Sequence, residues 1–235
     1  MNIVQFATWE AFAALISEVE HLPTPKLFRG VTNYREHKLV PKIGRPDARK
    51  DTTDGKVLPH SESEERRLLD YFRRASPPYL SYEPRTALDW LAVAQHFGAP
   101  TRLLDWTASP LIAAYFAMEK AGTEGAPAVY VLDPPPEISG SEREDPFGLT
   151  AVRTFYPPHI TPRIQVQRSA FTVHPCPSSE FEPGGLTVCC FPEGNACWEL
   201  KRIVDRCGFN RGSLFPDLGG LAEYVGWCYK WGRWQ

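Results

Sequence analysis

Two short segments hold the residues best suited to chemistry. In Phe28-Arg29-Gly30 an arginine sits between an aromatic residue and a glycine. Its guanidinium is a rigid, permanently charged fork that matches phosphate oxygens, and a glycine beside it lets backbone approach a ligand closely. The alternative for Arg29 is a structural salt bridge. The second segment reads Gln95-His96-Phe97-Gly98-Ala99-Pro100-Thr101-Arg102-Leu103-Leu104-Asp105-Trp106-Thr107-Ala108-Ser109-Pro110. Two turn signals bracket an apolar stretch that carries a cation, an anion and two hydroxyls. A strand over 102–106 would feed a helix starting at Pro110, whose free N–H groups suit an anion, with Thr107 and Ser109 at its mouth. Here too bland readings stand: Ser109 as an N-cap alone, Asp105 paired with Arg102, His96 as a helix-end residue and not a metal ligand. A third candidate is Gln165-Val166-Gln167, where strand alternation would put both amides on one face.

The elements that must position these residues follow from periodicity and punctuation. Thr8 reads as an N-cap, and Trp9, Phe12, Ile16 and Val19 follow at helical spacing. Residues 26–30 read as a short strand ending at Gly30. Residues 44–61 are polar and read as an exposed loop. Ser61-x-x-Glu64 has the capping-box pattern, with Leu68, Leu69 and Phe72 as the apolar face of the next helix. Thr86 starts a third helix and Gly98 closes it. Ser109-Pro110 is a helix start. Residues 128–132 are a buried strand, 134–150 a loop, 163–167 and 170–173 alternating strand, and 186–191 a further β-rich run. Gly208 ends a late helix, and the last one, near 218–231, is crowded with aromatics. This order, helix-rich, then strand-rich, then helical, predicts one α+β domain over 1–235, with mixed or antiparallel sheets flanked by helices.

Composition narrows the classes. The chain has 235 residues, is 43% hydrophobic and 23% charged, and carries a formal net charge of −2, so a core is affordable and no global basic field exists. The start lacks a basic stretch followed by an apolar run, and no segment approaches the roughly 20 apolar residues of a membrane helix, so a cytoplasmic, membrane-free protein is expected. The six cysteines show no CxxC spacing. Free thiols, and no metal site, are expected.

The Phe28-Arg29-Gly30 triplet, the motif His96-x-Gly98-x-Pro100-Thr101-Arg102-Leu103-Leu104-Asp105-Trp106-Thr107-x-Ser109-Pro110, Gln167 with Phe171, and Leu214-Phe215-Pro216-Asp217-Leu218 resemble the FRG-domain family over about residues 8–225. That family is found in bacteria and their phages. The order of elements is also similar to ADP-ribosyltransferases of the Arg–Ser–Glu type. Arg29-Gly30 would match their first element, Thr107-Ala108-Ser109 with Ala113-Ala114-Tyr115-Phe116-Ala117 their second, and Gln165-Val166-Gln167 their third, where the family has Glu-x-Glu.

That second resemblance implies an ADP-ribosyltransferase-like fold and NAD as substrate. The acceptor would be a macromolecule, RNA or protein, and the setting that of a toxin or phage-defence effector. Arg29, Thr107 and Gln167 would be the catalytic set. Arg29, Gly30, Arg102, Asp105, Trp106, Ser109 and Tyr115 would bind NAD, with Trp106 or Tyr115 stacking on nicotinamide. Gln167 can bond a ribose hydroxyl but brings no charge to an oxocarbenium-like state. Asp105 is an acid that could stand in, and Glu180-Phe181-Glu182 is a Glu-x-Glu in a loop. The alternative is a module without turnover, binding nucleotide, nucleic acid or, through Trp227, Tyr229, Trp231 and Trp234, protein.

Overall fold

The computed structural model describes residues 2–6, 8–21, 24–120, 125–158 and 161–233. Trp234, part of the expected aromatic surface, lies outside them. Strands β1 (Asn2–Gln5), β2 (Leu27–Val31), β3 (Leu103–Thr107), β4 (Ala128–Leu132), β5 (Arg153–Phe155), β6 (Ser169–Val173) and β7 (Thr187–Cys190) form one mixed sheet in the order β1-β7-β4-β2-β3-β6-β5. The β1/β7 pair is parallel and the other pairs are antiparallel. The α+β class is as expected, with a single sheet in place of several. Neither the edge strand β5 nor β1 was anticipated.

The helices are α1 (Trp9–Glu20), α2 (Glu62–Ala75), α3 (Ala87–His96), α4 (Pro110–Ala117), α5 (Gly140–Glu144), α6 (Pro162–Val166), α7 (Asn195–Arg206), α8 (Arg211–Leu214) and α9 (Leu218–Trp231). Among the described residues none is long and apolar enough to cross a membrane. The expected starts at Thr8, Thr86 and Ser109 are real caps: their hydroxyls accept from the N–H groups of Ala11, Asp89 and Ile112. Ser61 is not. It precedes α2 but makes no side-chain cap bond, and its hydroxyl lies 2.9 Å from that of Ser63. The stretch expected to be loop over 134–150 contains α5, started by a Ser139/Glu142 capping box.

Alternation along the strands sorts three apolar clusters. Phe28, Val129, Val131 and Cys189 meet α4, α1 and α7. Leu27, Val31, Leu104, Trp106, Tyr130 and Val188 form a second cluster, capped by Leu39 and Phe181. Leu103, Phe155, Phe171 and Val173 pack on α2 and α3 through Leu69, Leu88 and Leu91. Burying these side chains drives the helices onto the sheet.

One pairing is weak, and it matters. β2 is registered with β4 at five residue pairs and β3 with β6 at five, but β2 and β3 share only Phe28↔Thr107. Beyond that pair the two central strands part.

Candidate functional site

A cleft of about 1130 Å³ opens where β2 and β3 separate. Phe28 to Val31 line it from one strand and Asp105 to Thr107 from the other, with the C-terminal end of α3, residues of the 36–47 loop, and Arg163 and Gln167 completing the walls. Arg29, Thr107 and Gln167, far apart in the chain, all border it.

Arg29 stands at the parting. Its Nη1–H donates to the Asp105 carbonyl oxygen at 2.7 Å, supplying a bond for a strand carbonyl on the side where β2 diverges. The same nitrogen is 3.7 Å from the Asp105 carboxylate, and the side chain is only 17% exposed. Its Nε is buried with no hydrogen-bond partner among the described residues. Burial holds the guanidinium below its ordinary pKa, and Asp105 opposes that. Arg29 thus has a structural bond through Nη1, a buried Nε that makes none, and a side chain that borders the cleft.

Gly30 has a different reason from the expected one. A Cβ built there would overlap the Ala113 carbonyl oxygen and sit 2.6 Å from the Ala117 nitrogen. The close approach it permits is that of α4 to β2, while its backbone also lines the cleft.

Asp105 does not pair with Arg102. Its carboxylate is 58% exposed, near Arg29, and accepts from Gln95 Nε2–H at 2.9 Å. The Gln95 amide is oriented by Thr101, whose hydroxyl donates to its Oε1 at 2.7 Å. Arg102 is a correction: it is 0% exposed and bidentate to Glu65, with Nε–Oε1 3.0 Å and Nη2–Oε2 2.8 Å. It cannot meet a phosphate in the cleft.

Thr107 borders the cleft with its hydroxyl already engaged, and Gln167 with its amide N–H engaged. The Thr107 hydroxyl donates to the Gln167 carbonyl at 2.7 Å and accepts from Ser109 N–H at 3.1 Å. Gln167 Nε2–H donates to the Leu214 carbonyl at 3.0 Å. The expected strand over 163–167 is a helix, α6, with Thr161 as N-cap, Pro162 at its first position and Gln167 as its C-cap. Successive residues of a helix are offset by about 100°, so Gln165 and Gln167 do not share a face. The chain then turns at Arg168, φ 46°, into β6.

Three further candidates are taken up by the fold. Ser109 is a buried N-cap and Tyr115 is buried in the cluster against α4. Burial and Glu119 push the Tyr115 hydroxyl up to about 12. Neither Ser109 nor Tyr115 borders the cleft, and the start of α4 does not face it. Trp106 is part of the wall, but it is buried and its indole N–H donates to Thr172 Oγ1 at 2.9 Å, so it offers no free face for stacking.

Sequence reasoning passed over Arg163 and Phe97 and gave His96 and Glu180 lesser roles, and all four border the cleft. Arg163 projects from α6 with its guanidinium 4.2 Å from the Phe215 ring centroid and its Nε without a hydrogen-bond partner. Burial, and then Arg211, hold it below its ordinary pKa. Phe97 is 63% exposed at the lip. His96, 3.4 Å from Thr161 Oγ1, is pushed down to about 4 by burial and by Arg163, so it is neutral at pH 7. Glu180 borders the cleft from a loop, paired with Lys38 at 3.0 Å. The signal for Arg163 was the Thr161-Pro162 helix start, the same pattern as Ser109-Pro110.

All six cysteines are free thiols, with Cys176 and Cys207 exposed and the others buried. Among the described residues no group of three or more His, Cys, Asp or Glu is placed to hold a metal.

With this geometry in hand, comparison of the chain with known families gives one match. Residues 24–125 match the FRG domain. The matched stretch runs from β2 through α4 and so contains Arg29, Asp105 and Thr107; Arg163 and Gln167 fall after it. No curated protein and no solved structure matches the chain. The match is to the FRG domain alone, and none of these comparisons supports a similarity to ADP-ribosyltransferases.

Proposed function

We propose that the cleft binds NAD and that the protein transfers its ADP-ribose to a macromolecular acceptor. The observation that carries this reading is Arg29: a guanidinium at the parting of two central strands, its Nε buried and unpartnered, beside an exposed carboxylate. A phosphate oxygen is the ligand that would pair with the exposed part of that guanidinium, where it borders the cleft. Arg163, also with an unpartnered Nε, borders the same cleft and would take the second phosphate. The volume, about 1130 Å³, suits a dinucleotide.

Asp105, not Gln167, takes the acidic role. In the transfer the C1′–N bond breaks and its electron pair leaves with nicotinamide, which departs neutral. The acceptor nucleophile bonds to C1′ and gives up its proton. The Asp105 carboxylate stabilises the positive charge on the ribose as it develops and can receive that proton. Thr107 and Gln167 act on this reading by fixing the turn from α6 to β6, and thereby Arg163.

The test is incubation with labelled NAD and cell extract, following label transfer and nicotinamide release. Asp105→Asn is expected to lower the rate about a hundredfold, about 3 kcal/mol, and Arg29→Ala to weaken NAD binding. Absence of both products from the wild type would refute the transfer. A second reading is favoured by the committed hydroxyl of Thr107 and amide N–H of Gln167: a nucleotide-binding module without turnover. Calorimetric binding of NAD with no product, unchanged in Asp105→Asn, would select it.

A further inference from the structure

A second concavity, about 920 Å³, lies beside α2 and has no part in the reading above. Arg49, Arg67, Tyr71, Arg73 and Arg74 line it. Arg67, Tyr71 and Arg74 are spaced i, i+4, i+7 on α2, so they share one face of that helix with the aromatic ring between the two cations. Tyr71 is 69% exposed.

Much of the charge is not spent within the fold. Arg74 donates only to the Asp70 carbonyl, at 3.4 Å, and Arg73 lies 5.8 Å from the Trp90 ring; neither makes an ion pair among the described residues. Arg67 holds Glu64 at 2.9 Å, and Arg49 is 4.0 Å from the same carboxylate. Of the three acids in the lining, Glu65 is neutralised by Arg102, leaving four guanidiniums against Glu64 and Asp70.

We propose that this groove binds a single-stranded polynucleotide. Guanidiniums fork phosphates, and an exposed tyrosine between them is a stacking surface for an unpaired base. An acidic peptide would satisfy the arginines and leave the ring unused, and a duplex would offer it no base face. The groove also adjoins the cleft. In the 43–48 segment Ile43 and Ala48 line the groove, and Gly44, Arg45, Pro46 and Asp47 line the cleft on its other side. A strand in the groove would therefore reach the cleft across one loop. Its role as acceptor rests on the transfer reading; its binding does not.

The test is fluorescence anisotropy with labelled oligouridylate and oligothymidylate of about 12 nucleotides, an RNA duplex and oligoglutamate. Tight binding of either single strand is expected, and the two arms decide between RNA and DNA. Tyr71→Ala, at an exposed site, is expected to weaken binding about five- to hundredfold. Arg73→Ala/Arg74→Ala is expected to lower the slope of log K against log salt by about 1.4. The inference is overturned if neither strand binds, if the variants leave binding unchanged, or if the duplex or oligoglutamate binds as well as the strands. Calorimetry with NAD on the same variants separates the two sites. Strand binding without NAD binding sinks only the cleft reading, and NAD binding without strand binding sinks only this one.

Discussion

Arg102 belongs to the motif and carries a charge, so Arg102→Met distinguishes a ligand residue from a structural one. The structure makes it structural. The guanidinium and Glu65 are both buried, joined by two hydrogen bonds of 3.0 and 2.8 Å. Arg102 Nη1–H also reaches the Pro146 carbonyl at 3.4 Å, and its guanidinium lies 4.3 Å from the centre of the Phe147 ring. Methionine keeps the aliphatic stem and removes the charge, which leaves the Glu65 carboxylate buried with His60 Nε2, 3.0 Å away, as its one side-chain partner among the described residues. Breaking such a pair from one side costs about 3–5 kcal/mol, because the orphaned charge keeps its desolvation penalty. Against a total stability of about 5–15 kcal/mol that is a large share. At about 2–4 °C per kcal/mol for a chain of this size, the melting temperature should fall by about 6–20 °C.

The assay is thermal and urea unfolding of Arg102→Met, Glu65→Leu and the double variant. Replacing both partners with apolar groups removes the orphan, so the double variant should regain most of the loss. NAD binding, measured well below the melting temperature, should be unchanged in Arg102→Met. An Arg102→Met protein with native stability and abolished NAD binding would refute the reasoning and return Arg102 to the ligand set.

Two further outcomes follow from the packing. Gly30→Ala forces a methyl into the α4 backbone, which must shift or the strand must; a loss of about 1–3 kcal/mol or more in urea unfolding is expected, whereas Gly226→Ala in α9, with open space at its Cβ, should gain about 0.5–1 kcal/mol. If Gly30→Ala is as stable as wild type, the strand–helix contact is not what the glycine serves. Burial pushes His174 down to about 4 from an ordinary value of 6.5, so the unfolded chain binds more protons between those limits. Its contribution is fully present above pH 6.5 and is lost as pH falls towards 4, by roughly 3 kcal/mol in all. His174→Gln should flatten the stability–pH curve in that window, and an unaltered curve would show that another group titrates there.

The sequence was most legible where a signal is local. Thr8, Thr86 and Ser109 announce helix starts because the capping partner lies three residues on. Residues 128–132 read as buried strand because all five are apolar or aromatic and all five are buried. Legibility failed where a short pattern was ambiguous. Arg163-Ile164-Gln165-Val166-Gln167 alternates, and β-branched Ile and Val favour strand, yet five residues barely exceed one helical turn and Thr161-Pro162 settles the matter upstream. Strand β5, three residues at a sheet edge, has too little pattern to find. Ser61 and Glu64 had the right spacing, but the Ser61 hydroxyl turns to Ser63 and Glu64 to Arg67. Failure was complete where the partner is distant: Arg102 and Glu65 are 37 residues apart, and nothing local marks either as buried.

The motif does two kinds of work, and hydrogen-bond capacity tells them apart. Thr101, Arg102, Thr107 and Ser109 carry polar groups that the fold uses: to orient Gln95, to hold Glu65, to fix the turn at Gln167 and to start α4. Gly30 is used by the contact with α4. What the fold leaves wholly or partly unused around the cleft is the Nε of Arg29, the Asp105 carboxylate, exposed though Gln95 donates to it, the Nε of Arg163 and the open ring of Phe97. Polar residues recur in a motif for either reason, so counting them overstates a site. Here the expected site of nine residues contracts to Arg29 and Asp105 from that set, joined by Arg163 and Phe97 from outside it. A buried donor without an acceptor is costly unless a ligand or solvent supplies one. That physical asymmetry, more than the resemblance of the motif, is why an anion in this cleft is the reading to test first.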